Sequence, residues 1–213
     1  MNLREHLVLR AGEFGILAGD VYDHWIRAES DKDILGDLLH PNDLFSETLT
    51  GKEIYAWYAA FSKAVKASVV AEIGVRYGYS LWAMAKTAEK AYGWDAERYI
   101  PNSNAHVRRY FSGKIDLELL TCDTQNVSRL VCEPVDVFSV DGDHSTFGAL
   151  RDIDLAYQVV RPGGWILIDD IQGLYYTTEQ DTAVRTAADI FIERYRLKHF
   201  FIPTYRGMYA IQK

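Results

Sequence analysis

The stretch Val135-Asp-Val-Phe-Ser-Val-Asp141-Gly-Asp-His144, followed after a helical span by Arg161-Pro-Gly-Gly-Trp-Ile-Leu-Ile-Asp169-Asp170-Ile171, decides the architecture of this chain. Two apolar runs, 135–140 and 164–168, each end in acid. Runs of this length, bounded by turn signals and separated by a helix, have the pattern of buried parallel strands in a βαβ unit. Open α/β sheets take ligands outside the carboxyl ends of their strands. Asp141, His144, Asp169 and Asp170 are therefore expected together at one rim. Neighbouring strands lie about 4.8 Å apart, which lets carboxylates from both ends share one hard cation at roughly 2.0–2.1 Å. Acids that merely cap helices or end strands are the alternative. Three acids and a histidine at two adjacent strand ends favour a site.

The remaining composition sets bounds. The chain has 213 residues, enough for one domain with an extension. Its formal net charge of −7 disfavours nonspecific binding to nucleic acid or to an acidic membrane surface. The two cysteines, Cys122 and Cys132, form no CxxC pair and read as reduced thiols. Met1-Asn-Leu-Arg-Glu-His lacks the apolar core of a signal peptide, and no run reaches the roughly 18 apolar residues of a membrane span. A cytoplasmic location is the expectation, with no nucleic-acid or membrane partner. Homo-oligomerisation is left open.

Upstream of the deciding stretch lies Ser68-Val-Val-Ala-Glu72-Ile-Gly74-Val-Arg-Tyr-Gly78-Tyr79-Ser80, read as a buried strand, a glycine turn and a helix start. The glycines allow a tight turn and close backbone approach to a ligand. Ser80 sits near the helix start, where unpaired N–H groups favour an anion such as a carboxylate. No G-x-G-x-x-G is present, so a dinucleotide fingerprint is excluded. A second strand, 91–95, ends at Asp95, about 20 residues after Gly74, where an acid accepts from both hydroxyls of a ribose. Glu97 substitutes if the register is shifted. A third strand, 115–120, leads to Asp123 and Thr124, either of which can cap a helix expected over 125–132. An adenine edge would lie at the same loop in this fold type, so adenine contact stands beside capping as a second role for these residues.

The flanking segments complete the domain. Residues 1–50 read as a broken helical extension that packs on the main domain, forms an oligomer contact or covers the site; residues 51–213 form the domain itself. Residues 51–67 are an amphipathic helix with Ile54, Trp57, Tyr58, Phe61 and Val65 at helical spacing. A helix is expected at 104–112, and another at 146–160, capped by Asp143 or Ser145 and ended by Pro162-Gly163-Gly164. A rim loop with Tyr175 and Tyr176 precedes a helix that ends near Phe191. Strands at 195–202 and 206–212 form an antiparallel hairpin.

At these residues the chain resembles a known family. Glu72-Ile-Gly-Val-Arg-Tyr-Gly-Tyr-Ser80 is similar to the first motif of class I S-adenosylmethionine-dependent methyltransferases, particularly its catechol O-methyltransferase version. Asp-Gly-Asp-His, Arg-Pro-Gly-Gly and Asp-Asp resemble the divalent-cation-dependent O-methyltransferases of the macrocin type, which act on natural-product sugars. The resemblance spans roughly 50–212, with its specific motifs at 72–80, 141–144 and 161–170. It implies a Rossmann-like three-layer sandwich, with a seven-stranded, mostly parallel sheet of order 3-2-1-4-5-7-6 and an antiparallel C-terminal hairpin. It implies that Gly74 and its loop line the methionine part of S-adenosylmethionine, with Tyr79 in that loop. Ser80 and nearby N–H groups hold the carboxylate, and Glu72 lies beneath. Asp95 takes the ribose, and Asp123 and Thr124 border the adenine. Asp141, Asp169 and Asp170 bind Mg2+ or a similar cation. Asp141 also adjoins the cofactor and takes part in catalysis, and His144 falls where the catechol enzymes carry a lysine general base.

That placement suits methyl transfer to oxygen. In-line displacement needs a nucleophilic oxygen about 3 Å from the methyl carbon. A divalent cation stabilises the developing alkoxide while a base takes its proton. Histidine titrates near about 6.5, and a helix-start or metal-ligand role for His144 is the competing reading. Two departures from the catechol enzymes stand out. Asp170 replaces their Asn, and the last hairpin, Pro203-Thr-Tyr-Arg-Gly207, lacks their Glu. A sugar or other natural-product hydroxyl is therefore favoured over catechol as the small-molecule acceptor. A metal-dependent hydroxylase on the same fold and a non-catalytic S-adenosylmethionine-binding protein are the alternatives.

Overall fold

The computed structural model describes residues 13–14, 49–96, 111, 113, 115–171, 179–202 and 206–213. Most of the extension at 1–50 lies outside the described residues, as do Glu97, the body of the helix expected at 104–112, Tyr175 and Tyr176. In chain order the elements are α1 (Leu49–Ala64), β1 (Val69–Ile73), α2 (Tyr79–Ala85), β2 (Lys90–Asp95), β3 (Asp116–Thr121), a 3-10 turn at Thr124–Asn126, β4 (Val135–Val140), α3 (Thr146–Val159), β5 (Val160–Ile168), α4 (Glu179–Tyr195), β6 (Lys198–Ile202) and β7 (Met208–Gln212).

The strands form one sheet in the order β3-β2-β1-β4-β5-β7-β6. The first five are parallel, and β7 runs antiparallel between β5 and β6. This is the order that the resemblance implied. The reason is legible in β5. Trp165 and Leu167 enter the apolar cluster on one face, whereas Ile166 and Ile168 enter the cluster on the other. A strand buried on both faces cannot alternate polar with apolar, so it reads as one hydrophobic run. α1 and α2 cover the first face; α3 and α4 cover the second. Trp57, Tyr58 and Phe61 of α1 are fully buried, each such side chain contributing on the order of 1.5–3 kcal/mol of transfer free energy. The extension touches this core at Phe14, whose ring lies 5.2 Å from Trp165 and 5.1 Å from Phe200.

The edge strand β3 is protected by charge. Lys90 lies 3.2 Å from Asp116, 3.1 Å from Glu118 and 3.0 Å from Glu133. Charged side chains on an edge discourage pairing with another chain.

Two local expectations are corrected. The helix expected over 125–132 is a single 3-10 turn, Thr124–Asn126. The Asp123 side chain accepts from the Gln125 N–H and from the Asn126 amide, and these bonds favour a turn over a helix. The Pro162-Gly163-Gly164 triplet does not end α3. The helix stops at Val159, and Val160 already pairs with Val135. The next pairing is Val137 with Trp165, so residues 161–164 bulge out of the ladder. Gly163 takes φ +80° there, and its N–H bonds the Lys213 carbonyl at 2.8 Å.

Candidate active site

Three loops meet at the carboxyl ends of β1, β4 and β5. The turn after β1 is built by backbone that few side chains permit. Gly74, Arg76 and Gly78 all have positive φ, at +85°, +44° and +75°. Gly74 is obligatory for a second reason: a Cβ there would lie 1.8 Å from the Asp141 carbonyl oxygen. The Asp141 N–H bonds the Ile73 carbonyl at 3.0 Å, so the β1 and β4 loops are locked backbone to backbone. The Asp169 N–H in turn bonds the Val140 carbonyl at 3.2 Å. Arg76 and Asp170 put two strained non-glycine angles at this rim, the kind of backbone that active sites tolerate.

Asp95 supports that turn from β2. One carboxylate oxygen accepts from the Arg76 N–H at 2.6 Å and the other from the Ala96 N–H at 2.7 Å. A cleft of about 560 Å3 opens beside it, a size typical of sites for small molecules and cofactors. Its walls include Gly74, Asp95, Asp123, Thr124, Asp141 and His144. Six of the expected residues thus share one cleft. Of the other expected residues, Glu72, Tyr79, Ser80, Asp169 and Asp170 do not line it.

Glu72 is fully buried, and the Ser80 hydroxyl donates to its Oε1. Its Oε2 has no hydrogen-bond partner among the described residues. Burial pushes this carboxyl well above the usual carboxylate range, with Ser80 acting against the rise and Asp141 adding to it. The Ser80 hydroxyl hydrogen is therefore committed to Glu72 rather than to the cleft.

The acid-and-histidine cluster is tight. His144 Nε2 lies 3.2 Å from Asp141 Oδ1 and 3.5 Å from Asp170 Oδ2. One donor atom from each of these three residues falls within 4.8 Å of the others. Two carboxylates and an imidazole make a donor set that fits a divalent cation. Asp169 is placed differently. Its Oδ1 accepts from the Asp170 N–H at 2.9 Å, and its charge helps burial push the Tyr58 phenol upward. The convergent trio thus contains His144 in the place expected for Asp169.

Electrostatics follow from this crowding. The hydrogen bond to Asp141 pushes His144 up to about 9, against the effect of burial, and the Asp141 and Asp170 charges add to the rise. Burial pushes Asp170 up to about 6 and Asp141 raises it further, while Arg206 and His144 act against the rise. Asp170 adopts φ +59°, a region that Asp tolerates better than most residues.

Sequence reasoning missed two residues here. Arg206 Nη1 donates to both oxygens of Asp170, at 3.2 and 3.0 Å, and also lines the cleft. Its only signal was a lone basic residue in the final turn. Asp152, fully buried on α3, accepts from the Asp143 N–H at 3.1 Å and from the Gln125 amide at 3.4 Å. It ties the β4 loop to the β3 loop, and an acid within an amphipathic helix gave no hint of that.

A glycine turn after β1, an acid ending β2 and this strand order together define the class I methyltransferase fold. Residues 71–171 match the family model described as a methyltransferase domain. Among solved structures, the O-methyltransferase from Bacillus cereus in complex with SAH is similar with a TM-score of 0.64 and 18% identity, over 86% of this chain and 91% of that one. The O-methyltransferase TomG from Streptomyces achromogenes, involved in tomaymycin synthesis and solved with SAM, gives 0.66 and 15%, over 92% and 95%. The N-methyltransferase NodS from Bradyrhizobium japonicum gives 0.58 and 15%, over 78% and 96%. No curated protein matches the sequence. Among the described residues, no helix is long and apolar enough to cross a membrane.

Proposed function

We propose that this chain is an O-methyltransferase that uses S-adenosylmethionine to methylate a hydroxyl of a small molecule, with Mg2+ or a similar divalent cation at the Asp141 and Asp170 carboxylates and His144 beside them as the base. The observation that carries the reading is the backbone lock between Gly74 and Asp141, which sets a ligand-cradling turn directly beside the acid-and-imidazole cluster. Methyl donor and acceptor activation have to be that close for an in-line transfer. A sugar or other natural-product hydroxyl is the favoured acceptor class, supported by the absence of an acid in the 203–207 turn. An S-adenosylmethionine sulfonium supplies an electrophilic methyl group, and a bound divalent cation supplies Lewis acidity at the acceptor oxygen.

The protein's own residues have defined tasks. Gly74 and Asp95 shape and hold the turn, while Asp123 and Thr124 close the far wall. Asp141 and Asp170 gather positive charge. His144 is an imidazolium at neutral pH as long as those two carboxylates are its nearest charges. It accepts the hydroxyl proton only once their charge is offset, because opposite charge favours its protonated form. The cation and the base are therefore coupled in one cluster.

Calorimetric titration with S-adenosylmethionine and S-adenosylhomocysteine tests the first half of the proposal. Absence of binding at millimolar concentration removes it. Transfer of labelled methyl to a panel of sugar and phenolic hydroxyls, with and without EDTA, tests the second. Undiminished transfer in EDTA removes the metal.

A further inference from the structure

We propose that Arg206 and a divalent cation compete for Asp170, so that Arg206 sets how tightly the rim takes up a cation. This rests on the metal reading given above. Arg206 stands immediately before Gly207, whose carbonyl accepts from the Ile171 N–H at 3.1 Å. That bond pins the last hairpin against the end of β5, beside the left-handed Asp170. The backbone next to Arg206 is therefore anchored at the rim, and its guanidinium is held there by the two bonds to Asp170.

The pair is largely withdrawn from water. The Asp170 side chain is 7% exposed and that of Arg206 is 23% exposed. Both oxygens of Asp170 face Arg206 Nη1, and Oδ2 also faces His144 Nε2 at 3.5 Å. A dication drawn to Asp141 and Asp170 thus meets a permanent cation already bonded to one of its ligands. An arginine stays protonated at any working pH, so Arg206 never releases Asp170 by losing its own charge. Without metal, Asp141 and Asp170 already face two cationic side chains, His144 and Arg206, while burial and the neighbouring acids push the Asp169 carboxyl well above its ordinary range. A protein arranged in this way holds its site assembled before a cation arrives and discriminates against weakly bound ions. An ion pair that only fastened the hairpin would affect stability and leave cation uptake unchanged.

The test is a Mn2+ titration of the full chain, without cofactor or acceptor, read from the electron paramagnetic resonance signal of free Mn2+. Two ligands sharing one group are coupled by typically 5–150-fold, so Arg206→Met is expected to tighten Mn2+ binding about tenfold. Arg206→Lys should fall between this variant and the wild type. Asp170→Asn should weaken binding in either background. Far-ultraviolet circular dichroism and a cooperative thermal melt identify which variants are folded. An affinity within about twofold of wild type in folded Arg206→Met overturns the proposal and leaves the metal reading standing. If Arg206→Met does not fold, Arg206→Lys decides by the same criterion. No Mn2+ uptake by wild type or variants at millimolar ion overturns both.

Discussion

β4 carries an acid near each end, and the two have opposite fates. Asp136, by the amino end, is buried and saturated. One oxygen accepts from the Ser68 and Val69 N–H groups at 2.7 and 2.8 Å, and the other pairs with Arg161. Asp141, just past the carboxyl end, is 36% exposed on its side chain and is answered by a half-exposed histidine. Same residue type, same strand, five positions apart: one fastens the fold, and the other faces a cleft. An acid is a functional candidate when its neighbours leave part of its capacity open to the cleft, not because it ends a strand.

The largest effect is expected at the cleft end. His144→Ala should lower kcat by about 10²–10⁴-fold, with little change in the S-adenosylhomocysteine dissociation constant measured by calorimetry. Unchanged turnover would collapse the contrast between the two ends. Gly74→Ala comes next. Its positive φ and the overlap with the Asp141 carbonyl should cost on the order of 3 kcal/mol in chemical denaturation and weaken cofactor binding. At the opposite end, Asp136→Ala strands two backbone donors and Arg161. It should cost about 1–3 kcal/mol of stability while the folded fraction keeps its cofactor affinity. Loss of affinity there would show that the amino end is not merely structural.

The smallest effect sharpens the comparison from within α3. Asp152 is pushed up from 3.8 to about 6, chiefly by burial. A carboxyl raised on folding gives stability that is whole below the unfolded value and lost as pH rises through the folded value. The melting temperature of the wild type should therefore fall by a few degrees relative to Asp152→Asn between about pH 4 and pH 6. A flat difference across that window would refute the assignment.

The parts legible beforehand were those governed by local rules. Continuous apolar runs announced β1, β4 and β5, because burial on both faces leaves no room for alternation. Their terminal acids then placed Asp141, His144 and Asp170 at one rim by topology alone. What escaped depended on distant partners. That His144 stands with Asp141 and Asp170 follows from the fold of the β4 loop and the left-handed Asp170, which no spacing rule records. Arg206 reaches Asp170 across 36 residues of chain. The turn at Thr124–Asn126 looked helical because its capping residue was recognised, but the same Asp123 side chain closes the turn on itself.

The four-residue bulge between the Val135–Val160 and Val137–Trp165 pairings separates what the two ends of β5 do. Register is set anew at Trp165. Asp169 and Asp170 take their side of the pleat from the pairing that begins at Trp165. The looped-out residues instead knit the amino edge together, through Arg161 to Asp136 and through Gly163 and Gly164 to the backbone of Lys213.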